Sequence, residues 1–154
     1  DSARTATGDS GAAYVFSRIG ATWAQEAYLR ASNFGNEDYF GAVVALSADG
    51  TRLAVGATGE DSNATGLDGW GGDTPPGNSG ALYLFARSDV GWSQSTYVKA
   101  PNTGAGDGFG FEAALSPDGS TLTVSAIGEA SSATGVDGDR ADDTMPGSGA
   151  VYVY

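Results

Sequence analysis

The sequence predicts an all-β protein built from two copies of a four-stranded antiparallel unit, and three observations support this. Apolar and polar residues alternate with a period of two in several short segments. Turns that contain glycine separate these segments. The whole pattern then recurs after 69 residues. No stretch carries apolar residues at helical spacing over three turns, so we expect no helices.

The repeat is clearest in the segment GAAYVF at 11–16, which recurs as GALYLF at 80–85 and as GAVYVY at 149–154. Between positions 11 and 85, 35 of 75 residues are identical to the residue 69 positions later, which indicates an internal duplication. We therefore expect one structural unit over residues 1–154, with repeat one at about 11–79, repeat two at about 80–148 and an extra strand at 149–154.

Each repeat is expected to hold four strands in order. In one four-stranded unit, which spans the boundary between the two repeats, strand one starts at Phe40, strand two at Leu53, strand three at Gly80 and strand four at Trp92. Ala48-Asp49-Gly50 forms a hairpin turn between strands one and two. Four antiparallel strands at a fixed period are typical of a β-propeller blade.

Two long loops, at 58–79 and 127–148, separate strands two and three, and loops of this length are usually functional or disordered. Aromatic residues that recur at the period are expected in the core between units. These are Tyr14, Tyr83, Trp23 and Trp92.

The composition excludes several classes of function. The chain has 154 residues, a formal net charge of −12, and no cysteine or histidine. It therefore has no disulfides, no thiolate zinc site and no Ser-His-Asp relay. The acidic balance argues against nucleic acid and anionic membranes, and favours divalent cations or cationic partners. No apolar run is long enough to insert into a membrane. No catalytic constellation is recognisable, so we expect no enzyme.

Recurring small-residue motifs resemble a known repeat. Phe40-Gly41 and Phe109-Gly110 open strand one, Val55-Gly56-Ala57 closes strand two, and Gly-Ala-x-Tyr-x-Phe/Tyr forms strand three. This combination resembles the FG-GAP repeat, the blade unit of the integrin α-subunit propeller and of many bacterial surface proteins. The resemblance implies a secreted or cell-surface propeller that binds partners and catalyses nothing. Family members often carry a Ca²⁺ loop between strands one and two, but here that turn has a single carboxylate in each repeat.

The acidic residues instead concentrate in the two long loops, where Gly-rich backbone could also turn carbonyl oxygens toward a Ca²⁺ ion. An equally good explanation is that these side chains cap the loop backbone in Asx turns. The candidate Ca²⁺ ligands are Glu60, Asp61, Asp68, Asp73, Glu129, Asp137, Asp139 and Asp142.

Two further features are candidate ligand contacts. Trp70 lies in a Gly-rich loop, where its ring could stack on a sugar or a protein partner, or fold back onto the loop. An Asn-x-Gly-x-x-Asp motif precedes each Phe-Gly pair, and a capped turn is the favoured alternative for it. Its candidate residues are Asn33, Asp38, Asn102 and Asp107.

Two blades cannot close a propeller ring, so open sheet edges are expected to favour association. The first strands of the chain read as strands three and four of a blade, and the last strands read as one, two and three. We therefore expect a homo-oligomer, either a ring or an open filament. The expected function is an extracellular scaffold or adhesion module that presents acidic loops to a protein or glycan. The alternative is a carbohydrate-binding propeller, a lectin.

Overall fold

The computed structural model describes residues 8–69 and 77–154, and within them the regular structure is β-sheet throughout. Nine strands follow one another in these two ranges: β1 (Ala13–Ile19), β2 (Thr22–Leu29), β3 (Val43–Leu46), β4 (Arg52–Ala57), β5 (Ala81–Ser88), β6 (Gly91–Val98), β7 (Phe109–Leu115), β8 (Leu122–Ala126) and β9 (Ala150–Val153). Over those same ranges, no helix could cross a membrane. The predicted all-β class is confirmed.

The strands form three antiparallel sheets in which each strand pairs with the next one along the chain. The N-terminal hairpin contains β1–β2, the central sheet β3–β4–β5–β6 and the C-terminal sheet β7–β8–β9. This up-and-down order is that of propeller blades. The central sheet is therefore the complete four-stranded blade that the repeat predicts.

The sheets pack face to face, and the central sheet is covered on both sides. Val55 and Tyr83 contribute to the core shared with the N-terminal hairpin, which includes Leu29. Leu82 contributes to the core shared with the C-terminal sheet, which includes Phe109. Because successive residues of a strand point to opposite faces, neighbours such as Leu82 and Tyr83 serve different cores.

The Phe-Gly and Gly-Ala pairs meet where one sheet contacts the next. Gly80 forms a parallel bridge with Phe109, as Gly11 does with Phe40 one repeat earlier. A Cβ atom on Gly80 would lie 2.2 Å from the carbonyl oxygen of Phe109. Glycine is needed here because the two backbones approach more closely than a side chain allows.

Strand one of the first repeat starts later than predicted. β3 begins at Val43, and Phe40 forms only an isolated bridge. Gly41 has a φ of 102° and its counterpart Gly110 has a φ of 88°, so this glycine does not distinguish the two repeats, whereas Phe109 differs from Phe40 in pairing with Ala126 of β8. In the second repeat, β7 does begin at Phe109.

A single aspartate closes each hairpin between strands one and two. Asp49 accepts hydrogen bonds from the hydroxyl of Ser47 (2.6 Å) and the N–H of Thr51 (3.0 Å). Asp118 accepts the corresponding bonds in the second repeat. These hydrogen bonds lower the pKa of both carboxyls, that of Asp118 to about 2. The carboxylate therefore stabilises the turn itself.

The prediction that all the recurring aromatics are buried is wrong for the N-terminal hairpin. Tyr83 is 0% exposed, whereas its counterpart Tyr14 is 58% exposed. Trp92 is half-buried against the hairpin, but Trp23 is 64% exposed. Tyr14 and Trp23 lie on the sheet that has a neighbour on only one face in the described residues.

Candidate functional site

The long loops and the connectors between sheets lie together at one end of the molecule. The connectors are residues 30–42 and 99–108. The N–H of Gly59 donates to the carbonyl of Asp38 (3.2 Å), and the N–H of Gly128 donates to that of Asp107 (2.9 Å). Each long loop thus begins against the connector that leads into its own sheet. We call this region the loop end.

A buried ion pair holds the first long loop to the end of β6. Lys99 Nζ lies 2.8 Å from Glu60 Oε2, and both side chains are fully buried. Lys99 also donates to the hydroxyl of Ser79 (2.7 Å), and Ser62 donates its N–H to Glu60 (3.2 Å). Burial lowers the pKa of Lys99, and the negative charge of Glu60 opposes this shift. The loop therefore closes over strand four at a buried, charged contact.

Asn33 links this ion pair to the preceding sheet. Its Nδ2 donates to Glu60 Oε1 (2.9 Å), and its Oδ1 accepts from the hydroxyl of Tyr83 (2.8 Å). Burial raises the pKa of Tyr83 well above its usual value, and the nearby charge of Glu60 adds to the effect. Asn33 follows β2, whereas Tyr83 lies in β5 and Glu60 in the loop between β4 and β5, so the amide joins the N-terminal hairpin to the central sheet and its long loop.

The second repeat reproduces this network without the cation. Asn102 donates to Glu129 Oε1 (2.9 Å), and Tyr152 donates to Asn102 (2.8 Å). The N–H of Ser131 donates to Glu129 Oε2 (3.0 Å). Burial raises the pKa of Tyr152 to about 12. Glu129 is only 2% exposed, and no lysine or arginine in the described ranges pairs with it.

The two connector aspartates close capped turns. Asp38 accepts from the N–H of Gly35, and Asp107 accepts from that of Gly104 (2.7 Å). Burial raises the pKa of Asp107, while the Gly104 bond opposes the shift. This geometry matches the capped-turn alternative. Ligand contact stays a prediction for the four motif residues Asn33, Asp38, Asn102 and Asp107.

Most of the other loop acids cap loop backbone. Within residues 8–69 and 77–154, no three acidic side chains converge as a metal site requires. The described donors thus form no calcium cage, and bound Ca²⁺ stays a prediction. The acids accept from backbone N–H groups as follows: Asp61 from Asn78, Asp68 from Tyr97, Asp139 from Ala141 and Asp142 from Thr144.

Two candidates, Trp70 and Asp73, lie outside the described residues. Asp137 is exposed in the second long loop and has a φ of 55°, a left-handed conformation that aspartate tolerates in turns.

The sequence interpretation missed Lys99 together with Ser62 and Ser79, the residues that surround Glu60. The sequence does contain a signal for the buried lysine. The basic residues Arg30 and Lys99 are 69 positions apart, which is the length of one repeat. A basic residue directly after strand four, and a glutamate in the preceding long loop, recur with the repeat.

The comparisons with known proteins agree with this geometry. The family model of the FG-GAP repeat matches residues 23–85, from β2 to β5. A search of the curated proteins finds no match. The matched segment includes the first Phe-Gly pair, the Val-Gly-Ala end of strand two and the Gly-Ala start of strand three. Residues 23–85 of this chain are therefore similar to an FG-GAP repeat, as the sequence motifs predict.

Proposed function

We propose that the chain is a non-catalytic, integrin-like propeller scaffold that associates with its own copies and presents long acidic loops to a partner. The observation that carries the proposal is the buried Lys99–Glu60 pair, which anchors the first loop to the end of strand four. A loop fixed at a buried point can display its outer residues in a defined position. FG-GAP propellers that bind partners supply the functional analogy.

The outer surface of the second long loop combines carboxylates with apolar side chains. Asp137, Asp139 and Asp143 are exposed, as are Val136 (91%) and Met145 (56%). Such a surface fits a protein partner that offers basic side chains around an apolar patch. The net charge of −12 would also steer a cationic partner toward the chain.

The environments of the acids support binding rather than catalysis. Glu60 is engaged by Lys99, and Asp107 closes a turn. Asp139 and Asp142 cap backbone N–H groups. Glycoside hydrolysis requires two nearby carboxyl groups in different environments, one kept protonated as the acid and the other ionised as the base or nucleophile. None of these contacts creates such a pair.

A secreted or cell-surface location is part of the proposal, because FG-GAP repeats are typical of such proteins. Self-association is supported by the exposed aromatic face of β1, where Tyr14 and Phe16 are more than half exposed. In the central sheet, the corresponding Tyr83 and Phe85 are buried.

Binding to a decalysine peptide, measured by fluorescence anisotropy, tests whether the loop end is the acidic binding surface. The paired substitution Asp137→Asn with Asp139→Asn is expected to weaken binding severalfold. The matched control, Asp89→Asn with Glu112→Gln, changes net charge equally but on exposed residues of other elements. Equal losses in both variants would show a net-charge effect and contradict a binding site on the loops.

A glycan array with and without chelator tests the lectin alternative. Sugar binding that is lost on Trp70→Ala would replace the protein partner with a carbohydrate. Absence of any glycan signal would leave the scaffold proposal in place.

Calcium binding is supported by the recurrence of the loop acids at the repeat period. Titration calorimetry with Ca²⁺ should give heat that Asp68→Asn and Asp137→Asn reduce, if these residues bind the ion. Unchanged heat in both variants would contradict this set of ligands.

A further inference from the structure

The chain has a single lysine, and the fold buries its amine completely. Lys99 is the only lysine in the sequence, and its side chain is fully buried, which is rare for this residue type. An amine that solvent cannot reach does not meet an external substrate or a partner. The groups that surround its Nζ inside the chain therefore decide what this amine can do.

One carboxylate holds the amine next to a side-chain amide. Lys99 Nζ lies 2.8 Å from Glu60 Oε2, and Asn33 Nδ2 lies 2.9 Å from Glu60 Oε1. Because the two oxygens belong to the same carboxylate, the amine and the carboxamide are held side by side. A simple ion pair needs only the first of these contacts. The second adds a carbonyl carbon, which is an electrophile that an amine can attack.

The carbonyl group of this amide is polarised by a buried hydroxyl. Asn33 Oδ1 accepts a hydrogen bond of 2.8 Å from the hydroxyl of Tyr83, which is itself fully buried. A donor at a carbonyl oxygen stabilises the negative charge that develops there when a nucleophile adds to the carbon. Burial strengthens this effect, because little water is present to screen the charge. Tyr83 therefore favours attack on Asn33.

The surroundings of Lys99 also favour a neutral amine. Burial lowers the pKa of Lys99, although the negative charge of Glu60 opposes the shift. A desolvated lysine loses its proton more readily, and the neutral amine is the nucleophilic form. Glu60 Oε2 is positioned to accept that proton, and Lys99 Nζ also donates to the hydroxyl of Ser79 (2.7 Å), which helps to fix its position.

We propose that Lys99 and Asn33 join in an isopeptide bond, which the chain forms on itself with Glu60 as the proton carrier. Glu60 takes a proton from the Lys99 ammonium group, and the neutral Nζ adds to Cγ of Asn33. The bond between Cγ and Nδ2 then breaks. Two protons pass from Nζ to Nδ2 through Glu60, so ammonium leaves, the new amide keeps one N–H, and Glu60 is again ionised. No oxidant, reductant or cofactor is consumed.

The bond ties the N-terminal hairpin to the far edge of the central sheet. Asn33 lies in the connector that follows β2, and Lys99 directly follows β6. The covalent loop between them therefore encloses all four strands of the central sheet. A cross-link restricts the unfolded chain, and more so when the loop is long. The reaction occurs once per molecule, so it is compatible with a non-catalytic scaffold.

Intact mass spectrometry of the denatured chain tests the bond directly. We expect the wild type to be lighter than its sequence mass by one molecule of ammonia. Trypsin should then leave Lys99 uncut, and residues 31–52 should be attached to residues 88–140 in one branched peptide. An amine-reactive ester should label only the N-terminal amine of the unfolded wild type, because the chain has no second lysine.

Three variants separate the roles of the groups. Glu60→Gln keeps the shape of the side chain but cannot carry protons, and Lys99→Arg keeps a cation without the amine. Both are expected to have their full sequence mass. Asn102→Ala is the matched control for Asn33→Ala, because Asn102 makes the same contacts with Glu129 and Tyr152, where the described residues bring no lysine. Asn102→Ala should still lose ammonia, and Asn33→Ala should not.

A wild-type chain of full sequence mass would overturn the bond and leave an ion pair. Ammonia loss with Lys99 still cut by trypsin would overturn it as well, because the loss would then come from cyclisation of an asparagine. A branched peptide in Glu60→Gln would contradict the role of Glu60. These readouts measure mass and not binding, so their failure is distinct from a failure of the decalysine assay.

Discussion

At the scale of single residues, the charge environment of an acidic side chain depends on the groups that surround it and not on its place in the repeat. Glu60 and Glu129 occupy the same place in their repeats, yet only Glu60 has a buried lysine beside it in the described ranges. The recurrence of the glutamate is visible in the sequence. The burial of the glutamate is not visible in the sequence, because it depends on how the long loop folds over the end of strand four.

Removal of Lys99 should expose the cost of the buried charge. Lys99→Met leaves Glu60 buried without its cation, so we expect a loss of about 3–5 kcal/mol in the free energy of unfolding. Urea denaturation of the variant and of the wild type measures this loss. The control is Arg87→Met, which breaks an ion pair with Glu26 in which the Arg87 side chain is 45% exposed. That pair should contribute less than about 1 kcal/mol. Similar losses in the two variants would contradict a buried ion pair.

The buried tyrosines should make the protein sensitive to alkali. The folded-state pKa of Tyr152 is raised to about 12 from the usual 10. The unfolded chain therefore loses this proton first, and stability is full below pH 10 and falls as the pH rises through 12.

Urea titrations at a series of alkaline pH values check this sign. Tyr152→Phe should show a shallower decline above pH 10 than the wild type. At neutral pH it should lose about 1 kcal/mol with the hydrogen bond to Asn102. An equally steep decline in the variant would contradict the role of Tyr152.

At the scale of elements, the strand order and the contact between neighbouring sheets follow from the repeat. The period-two pattern predicts β4, β5 and β6 to within a residue or two. It does not predict the late start of β3, because Phe40-Gly41 and Phe109-Gly110 have the same sequence, and in the described residues only Phe109 pairs with the next strand of its own sheet. Lys99 was missed for a related reason, since a lysine after a strand normally reaches solvent.

The Gly80 contact can be tested by adding one methyl group. In Gly80→Ala, the Cβ would collide with the Phe109 carbonyl at 2.2 Å, in addition to the strain of a φ of 80°. Gly50→Ala is the control, with a φ of 70° and nothing within 4 Å. We expect about 1–2 kcal/mol of destabilisation in the control and clearly more in Gly80→Ala. Equal thermal stabilities would show that the sheets do not meet at this glycine.

At the scale of the whole molecule, the part of the chain that the structure describes forms three stacked sheets, of which the central one is covered on both faces. The alternating pattern predicts the same environment for Tyr14 and Tyr83. In the structure Tyr83 is buried by a neighbouring sheet, whereas Tyr14 is exposed. The sequence therefore predicts what a blade face is made of. Whether a face is covered depends on the neighbouring sheet, which lies outside the repeat that supplies the face.

Hydrogen–deuterium exchange at low and high protein concentration tests most directly whether the outer faces of the stack meet in a second copy. We predict that amides of β1 and β9, which form open edges of their sheets in the described residues, become more protected at high concentration, while those of β5 are protected throughout. Protection in β1 and β9 that does not change with concentration would contradict self-association.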